Sequence, residues 1–237
     1  MSQPDGGPVT VVGGTGDLGF GLVLRLAKAG VPTTIGSRAV ERGAEAAERV
    51  RRAVGADAPV GGAENPAAVK QARVIFVTVP YAGQAEIYRS IRDHLPEDAV
   101  ICDTTTPLAS AVGGRPTHIL RPWQGSAAEQ AKELLPEGPR LVAGFHSVSA
   151  DAMQDVNRPV HGDALLCGSD PGAKAAIGRL VEMIPGLRWV DCGPLSMARI
   201  LEPLTAVLIS VNRRYGLSDT GITLAGRDSW GPPPSKP

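Results

Sequence analysis

Two small groups of residues have the types and spacing to do chemistry. Gly14, Gly16 and Gly19 satisfy G-x-G-x-x-G between Val9-Thr10-Val11-Val12 and an amphipathic segment that runs to Gly30. A lone match is weak in a chain with 29 glycines, but a β-branched run before it and helical periodicity after it are the context a dinucleotide site requires. That chemistry is anion binding. Gly14 permits a tight turn out of the strand, Gly16 lets the backbone approach a pyrophosphate, and Gly19 lets the helix press onto the sheet. The helix start then offers unpaired N–H groups and its dipole. The second group is Ser37, Arg38 and Arg42. A turn that binds NAD usually carries Asp or Glu at the end of its second strand for the ribose 2′-hydroxyl. Here the end reads Ile35-Gly36-Ser37-Arg38. A hydroxyl and guanidinium groups suit a 2′-phosphate, which an acid would repel, so the expected nucleotide is NADP(H).

Ligands of open α/β sheets lie outside the carboxyl ends of the strands. That rule brings Val79-Pro80-Tyr81, Thr104 to Thr106 and Phe145-His146-Ser147-Val148 toward the nicotinamide, with Tyr81 as a candidate ring neighbour. Reduction of a ketone or imine also needs a proton donor beside the hydride. No Tyr-x-x-x-Lys pair exists, since Tyr81, Tyr88 and Tyr215 are followed four residues on by Ala85, Arg92 and Asp219. From Ala175 to Ser235 there is no lysine, so the lysine of β-hydroxyacid dehydrogenases is missing as well. His146 is the one well-placed acid–base candidate. A reaction that needs no proton from the protein suits this chain better.

The elements that must position these groups follow from periodicity. Leu18, Leu22 and Leu26 repeat every four residues with Arg25 and Lys28 opposite, and Gly30 closes the helix. Val40 to Val54 reads as a charged surface helix. Arg73 to Val79 is almost continuously apolar, as a central parallel strand should be. Further strands are expected near Thr33–Ile35, Val60, Ala99–Asp103, Arg140–Phe145, Ala164–Cys167 and Arg188–Asp191. Ser126-Ala127-Ala128-Glu129 has the form of a capping box, and the long irregular stretch 104–125 precedes it. The alternation implies an α/β class: a Rossmann-type, doubly wound parallel sheet of about eight strands. The expected organisation is a nucleotide domain over 8–192 and a small helical C-terminal domain over 193–226. Its apolar stripe spans Leu195 to Tyr215, kinked at Pro203, and is wide enough to cover its own core, a partner subunit, or both. Residues 1–7 and 227–237 are expected to be disordered.

Composition narrows the classes. The formal net charge is zero and no long basic run exists, which argues against nucleic acid. No uninterrupted apolar run reaches the length of a membrane span, and the polar, glycine-rich start is no secretory signal. Three widely spaced cysteines, Cys102, Cys167 and Cys192, read as buried small hydrophobes in a reducing cytoplasm. The four histidines have no metal-ligand spacing.

Several segments carry a resemblance to a known family. They are Gly13-Gly14-Thr15-Gly16-Asp17-Leu18-Gly19, Gly36-Ser37-Arg38, Val79-Pro80-Tyr81, Ser126-Ala127-Ala128-Glu129, Cys167-Gly168-Ser169-Asp170, Gly193-Pro194-Leu195-Ser196, and Glu202-Pro203-Leu204-Thr205 through Asp219-Thr220-Gly221-Ile222. Together they resemble the NADPH-dependent reductases of the 8-hydroxy-5-deazaflavin coenzyme, F420, from Val9 to about Leu224. The resemblance implies direct hydride transfer between stacked nicotinamide and deazaflavin rings, which asks the protein for proximity and orientation rather than a general acid. It implies that Thr15, Gly16, Asp17 and Leu18 hold the pyrophosphate and that Ser37, Arg38 and Arg42 hold the 2′-phosphate. Val79, Tyr81, Ala85, Val148 and Ala150 would line the ring cleft, with Thr220 approaching from the C-terminal segment. Ser149 and Asp17 stand where family members often carry other residues. Two alternatives remain open at this point: a reductase of small imines or carbonyls with His146 or a bound water as proton source, and a non-catalytic NADP-binding protein.

Overall fold

The computed structural model describes residues 7–233. Strand and helix alternate through its first half: β1 (Val9–Val12), α1 (Asp17–Lys28), β2 (Thr33–Ser37), α2 (Val40–Val54), β3 (Val60–Glu64), α3 (Asn65–Val69), β4 (Val74–Val77), α4 (Tyr81–Ile91), β5 (Val100–Asp103), α5 (Ala127–Leu134) and β6 (Arg140–Ala143). Every residue of β1, β4 and β5 is buried, because helices cover both faces of the sheet and leave these strands no polar side. One apolar layer, with Leu22, Leu26, Ile177 and Ile184, lies under α1 and its neighbours. The other holds Ile75, Ile101, Tyr88 and Ile91 under α3, α4 and α5.

The chain continues through α6 (Ala150–Gln154), β7 (Gly162–Gly168), α7 (Pro171–Glu182), β8 (Leu187–Asp191), α8 (Ala198–Leu201) and α9 (Leu204–Tyr215). The eight strands form one sheet in the order β3-β2-β1-β4-β5-β6-β7-β8. β1 to β6 are parallel, and the strand order reverses between β1 and β4, which opens a crevice outside their carboxyl ends. The expected parallel sheet needs correction at one edge: β7 runs antiparallel to β6, and β8 follows β7. The connection 144–161 causes this, because it is spent docking α6 on α1 instead of crossing the sheet. A Cβ on Gly21 would sit 2.7 Å from Met153 Cβ, so only glycine lets α6 approach so closely.

Arg25 is therefore not on a solvated face. It is 3% exposed, and its guanidinium donates to the carbonyls of Met153, Arg158, Ala152 and Asp155. Those of Ala152 and Met153 belong to the last turn of α6, whose carbonyls lack intrahelical partners, and those of Asp155 and Arg158 to the turn that follows it. Desolvation by this burial lowers the Arg25 pKa, and Asp155 partly offsets it.

After β8 the chain turns through Gly193 into a 21-residue helical run, Leu195–Tyr215, broken between α8 and α9 at Pro203. Its mean hydropathy of 1.3 makes it long and apolar enough to cross a membrane by length and composition. This departs from the expectation that no run reaches that length. That expectation counted uninterrupted apolar stretches, whereas the average tolerates the polar residues that break them. The segment 227–233 also differs from its expected disorder. Arg188 on β8 pairs with the buried Asp163 and donates to the carbonyls of Leu224, Arg227 and Asp228, and Gly231 bridges to Val190. The rest of the segments expected to be disordered, residues 1–6 and 234–237, lies outside the described residues.

Candidate functional site

The turn after β1 folds as the glycines require, with one shift of role. The left-handed residue is Gly13, φ +79°, rather than Gly14. A Cβ on Gly19 would lie 2.3 Å from Thr78 Oγ1, so the third glycine of the motif does let α1 press onto the strand ends. Gly16 is the N-cap of α1 and supplies no side-chain cap, so the first N–H groups of the helix, including those of Asp17 and Leu18, have no intrahelical acceptor. An anion at this point would satisfy them.

A cavity of about 340 Å³ opens here. Gly13, Thr15 and Gly16 form one wall, Ser37, Arg38 and Arg42 a second, and Thr78, Val79, Pro80, Ala82, Gly83, Glu86 and Ile87 the third. Asn65 closes it, and beyond Arg38 a further hollow of about 230 Å³ is bounded by Glu64, Asn65, Pro66, Glu86 and Ser90. Ser37 is held at the end of β2, where its Oγ accepts from the Ala39 N–H at 3.4 Å. The glycine turn, the open helix start and the cationic wall thus converge on one space shaped for a dinucleotide that carries an extra phosphate. Asn65, Thr78 and Glu86 were not legible as site residues. Asn65 arrives from β3–α3, a segment that reads in sequence as loop, and it is 3% exposed with no partner for its Oδ1 among the described residues.

Thr15, Gly16, Ser37, Arg38, Arg42 and Val79 share this cavity. Asp17, Leu18, Tyr81, Ala85, Val148, Ala150 and Thr220 are not among its walls. Asp17 and Leu18 begin α1, where only their backbone faces the turn. Tyr81 is the first residue of α4, but its hydroxyl is turned to Gln130 on α5, 2.9 Å away. Val148 packs against the larger apolar core, Ala150 begins α6, and Thr220 donates to Asn212 Oδ1 at 2.7 Å.

The strand ends beside the cavity are tightly organised. Asp103, at the end of β5, is fully buried and accepts from the Thr105 N–H, Gln84 Nε2 and the Tyr88 hydroxyl. Burial raises its pKa, and those donors pull it back. Phe145 holds a left-handed backbone, φ +68°, with its ring edge-on to Phe76. Such strain costs of order 1–3 kcal/mol and persists where packing over-determines it. Next to it His146 is 4% exposed; its Nδ1 lies 3.4 Å from Thr106 Oγ1, and its Nε2 has no partner among the described residues. Burial lowers its pKa to about 4, so the imidazole is neutral at physiological pH. Thr205 from α9 donates to the His146 carbonyl, which ties the C-terminal helix to this strand end.

Glu202 anchors the same helix from the other side. It is 1% exposed, and its two oxygens accept from the N–H groups of Ala127 and Ala128 at the start of α5. Burial pushes its carboxyl up to about 8 against the pull of those two donors. The capping box forms only in part: Ser126 Oγ accepts from the Glu129 N–H, but the Glu129 carboxylate turns to Arg199. Cys102 and Cys167 are buried and Cys192 is half-buried, all as free thiols.

Known proteins resemble this chain in sequence and in fold. Residues 8–107 match the family model described as NADP oxidoreductase, coenzyme F420-dependent. The F420-dependent NADP reductase of Methanothermobacter thermautotrophicus is 41% identical over 91% of this chain and 94% of its own length. The chain belongs to the F420-dependent NADP reductase family. A second member, from Methanocaldococcus jannaschii, is 36% identical over 91% of this chain and 97% of its own. A solved structure from Arthrobacter sp. FB24 superposes with a TM-score of 0.76 at 22% identity, covering 92% of this chain and 99% of that one, and so shares the fold.

Proposed function

We propose that this family member is an oxidoreductase that passes a hydride directly between NADP(H) and coenzyme F420. The observation that carries the reading is the cavity in which the uncapped start of α1 meets Ser37, Arg38 and Arg42 without an acid at the end of β2. Those residues suit the pyrophosphate and the 2′-phosphate of NADP, and Val79 and Pro80 continue the wall toward where the nicotinamide would lie. Once bound, the two coenzymes supply the redox chemistry, a hydride moving between nicotinamide and deazaflavin rings with the balancing proton exchanged with water. The protein contributes binding, orientation and exclusion of water. The resemblance of their motifs to the family supports reading Tyr81, Ala85, Val148, Ala150 and Thr220 as the rest of the ring cleft. His146, the one side chain considered as proton source for imine or carbonyl reduction, is buried and neutral and so is a poor donor, which would leave that reaction to a bound water.

We also infer a homodimer acting in the cytoplasm, with no membrane or nucleic-acid partner. The exposed apolar residues Ile200 and Val207 on the C-terminal helices support the dimer. The zero formal net charge agrees with the absence of a nucleic-acid partner.

The direct test mixes the protein with NADPH and oxidised F420 and follows the visible absorbance of the deazaflavin. Bleaching with one NADPH consumed per F420 is the expected result. Retained colour under conditions where NADPH demonstrably binds would reject the reading.

A further inference from the structure

A polar chain runs from Asp103 beneath the strand ends to the Tyr81 hydroxyl, and the reaction proposed above gives its two glutamines, Gln84 and Gln130, no role. Gln84 on α4 donates from Nε2 to Asp103 Oδ2 at 2.9 Å and to the Ala127 carbonyl at 3.0 Å. Gln130 on α5 donates from Nε2 to Gln84 Oε1 at 2.9 Å. Tyr81 donates its O–H to Gln130 Oε1 at 2.9 Å. Tyr88, fully buried, closes the inner end with a 2.7 Å bond to the same Asp103 oxygen.

The polarity of this chain is determined from one end. The Ala127 carbonyl can only accept, and Asp103 Oδ2 already accepts from Tyr88, so Gln84 must present its NH₂ to both, which leaves its carbonyl oxygen facing Gln130. Gln130 must then donate to Gln84, which leaves its own carbonyl oxygen facing Tyr81. Tyr81 can only donate. Burial raises the Tyr81 pKa, which keeps the hydroxyl a donor. A one-way network of this kind has a single low-energy arrangement, unlike a lone amide that can flip. Gln84 and Tyr88 are held inside the core, so the ordering reaches outward to a tyrosine that is only half-buried.

We propose that Gln130 and Gln84 are positioning residues for Tyr81: they hold its ring in one orientation at the edge of the hydride-transfer cleft. The proposal rests on the reading of Tyr81 as a wall of that cleft. Asp103 lies beside Thr104 and Thr105, whose hydroxyls donate to the carbonyls of Val77 and Val79. The same carboxylate therefore orders the strand-end wall of the cavity and the ring at its mouth. Gln130 is also carried by α5, whose start is capped by Glu202, so the C-terminal segment and Tyr81 share one helix as their support.

A double-mutant cycle tests the proposal, using Gln130→Met, which keeps length but cannot bond, and Tyr81→Phe, which keeps the ring. Turnover with F420 at saturating NADPH is measured for each, together with the NADPH dissociation constant by fluorescence and the unfolding temperature. The expected result is a loss of about tenfold in turnover for each single variant, equivalent to roughly 1.4 kcal/mol, and no further loss in the double. Gln130→Glu, which keeps an acceptor for Tyr81 but loses the donor to Gln84 Oε1, recovers only part of the Gln130→Met loss. Losses that multiply in the double variant, or a Gln130→Met enzyme as fast as wild type beside a slow Tyr81→Phe, overturn the positioning role. If Tyr81→Ala leaves turnover and NADPH affinity at wild-type values, the placement of Tyr81 in the cleft itself is wrong. If wild type binds NADPH without reducing F420, the proposed reaction is at fault instead.

Discussion

Arg38 and Arg42 flank the space where a 2′-phosphate would sit, and β2 itself ends without a carboxylate, while Glu64 pairs with Ser37 from β3 and Glu86 lines the same cavity. A hydrogen bond to a charged group contributes about 1.5–3 kcal/mol. Arg38→Ala should therefore raise the NADPH dissociation constant by about tenfold or more while leaving the weaker NADH constant nearly unchanged. Fluorescence titration with both nucleotides reads this directly, and an equal loss for both would remove Arg38 from phosphate recognition. His146 makes a different kind of prediction. Its imidazole titrates near 6.5 when unfolded and near 4 when buried, so the unfolded chain takes up the proton first as the pH falls. The stability this residue provides is complete above about pH 6.5 and is lost progressively toward pH 4, by about 3 kcal/mol in all. Glu202 has the opposite sign: its raised pKa favours the fold at low pH, and that contribution fades as pH rises toward about 8. The measurement is thus a difference, urea unfolding of wild type against His146→Asn between pH 4 and 7, and the gap between the curves should change across that window. A constant gap would mean that the imidazole is not held neutral. At this scale the phosphate-facing residues were legible because a strand end and a glycine turn are local features. Asn65 and Glu86 were not: Asn65 opens the short α3 after β3 and carries no motif, and Glu86 comes from α4, which follows β4 two strands away from β2 in the sheet.

Elements show the same division. The alternation from β1 to β6, the kink at Pro203 and the Ser126 cap all follow from periodicity and from single residues with strong backbone preferences. The reversal at β7 does not, because nothing in the alternating apolar pattern of a strand records its direction. What decides it is how tightly the 144–161 connection is held, and the main holder is Arg25, which looks in sequence like one more charge on a helix face. With its guanidinium on four backbone carbonyls it is the C-terminal cap of α6, supplied from α1. Glu202 mirrors it as the N-terminal cap of α5, supplied from the C-terminal segment. In both cases a charge reads as surface until the unpaired helix end it serves is placed beside it. These two borrowed caps fix short helices through contacts made at long range in the chain.

For the whole molecule the open question is what covers the C-terminal helices. Ile200 is 60% exposed and Val207 53%. They stand seven residues apart, hence on one helical face, while Ala198, Leu201 and Ala206 face the protein's own core. The helical run therefore has two apolar sides, and only one is used within the chain. A membrane could cover the other by length and composition alone, but the run carries the Pro203 break and the buried Glu202 carboxylate bonded to α5. Detaching it to span a bilayer would leave that carboxylate and two helix N–H groups without partners, which is costly in hydrocarbon. A second copy of the chain would cover the same face without disturbing those bonds, and a two-fold axis would bring identical apolar patches together. Light scattering on the purified protein should accordingly give twice the mass of one chain. Ile200→Glu combined with Val207→Glu, which places two charges in the interface and leaves the inner side intact, should shift the mass to one chain with the NADPH affinity retained. A wild-type protein that is monomeric at micromolar concentration would refute the dimer. A double variant that stays dimeric would move the interface to another surface.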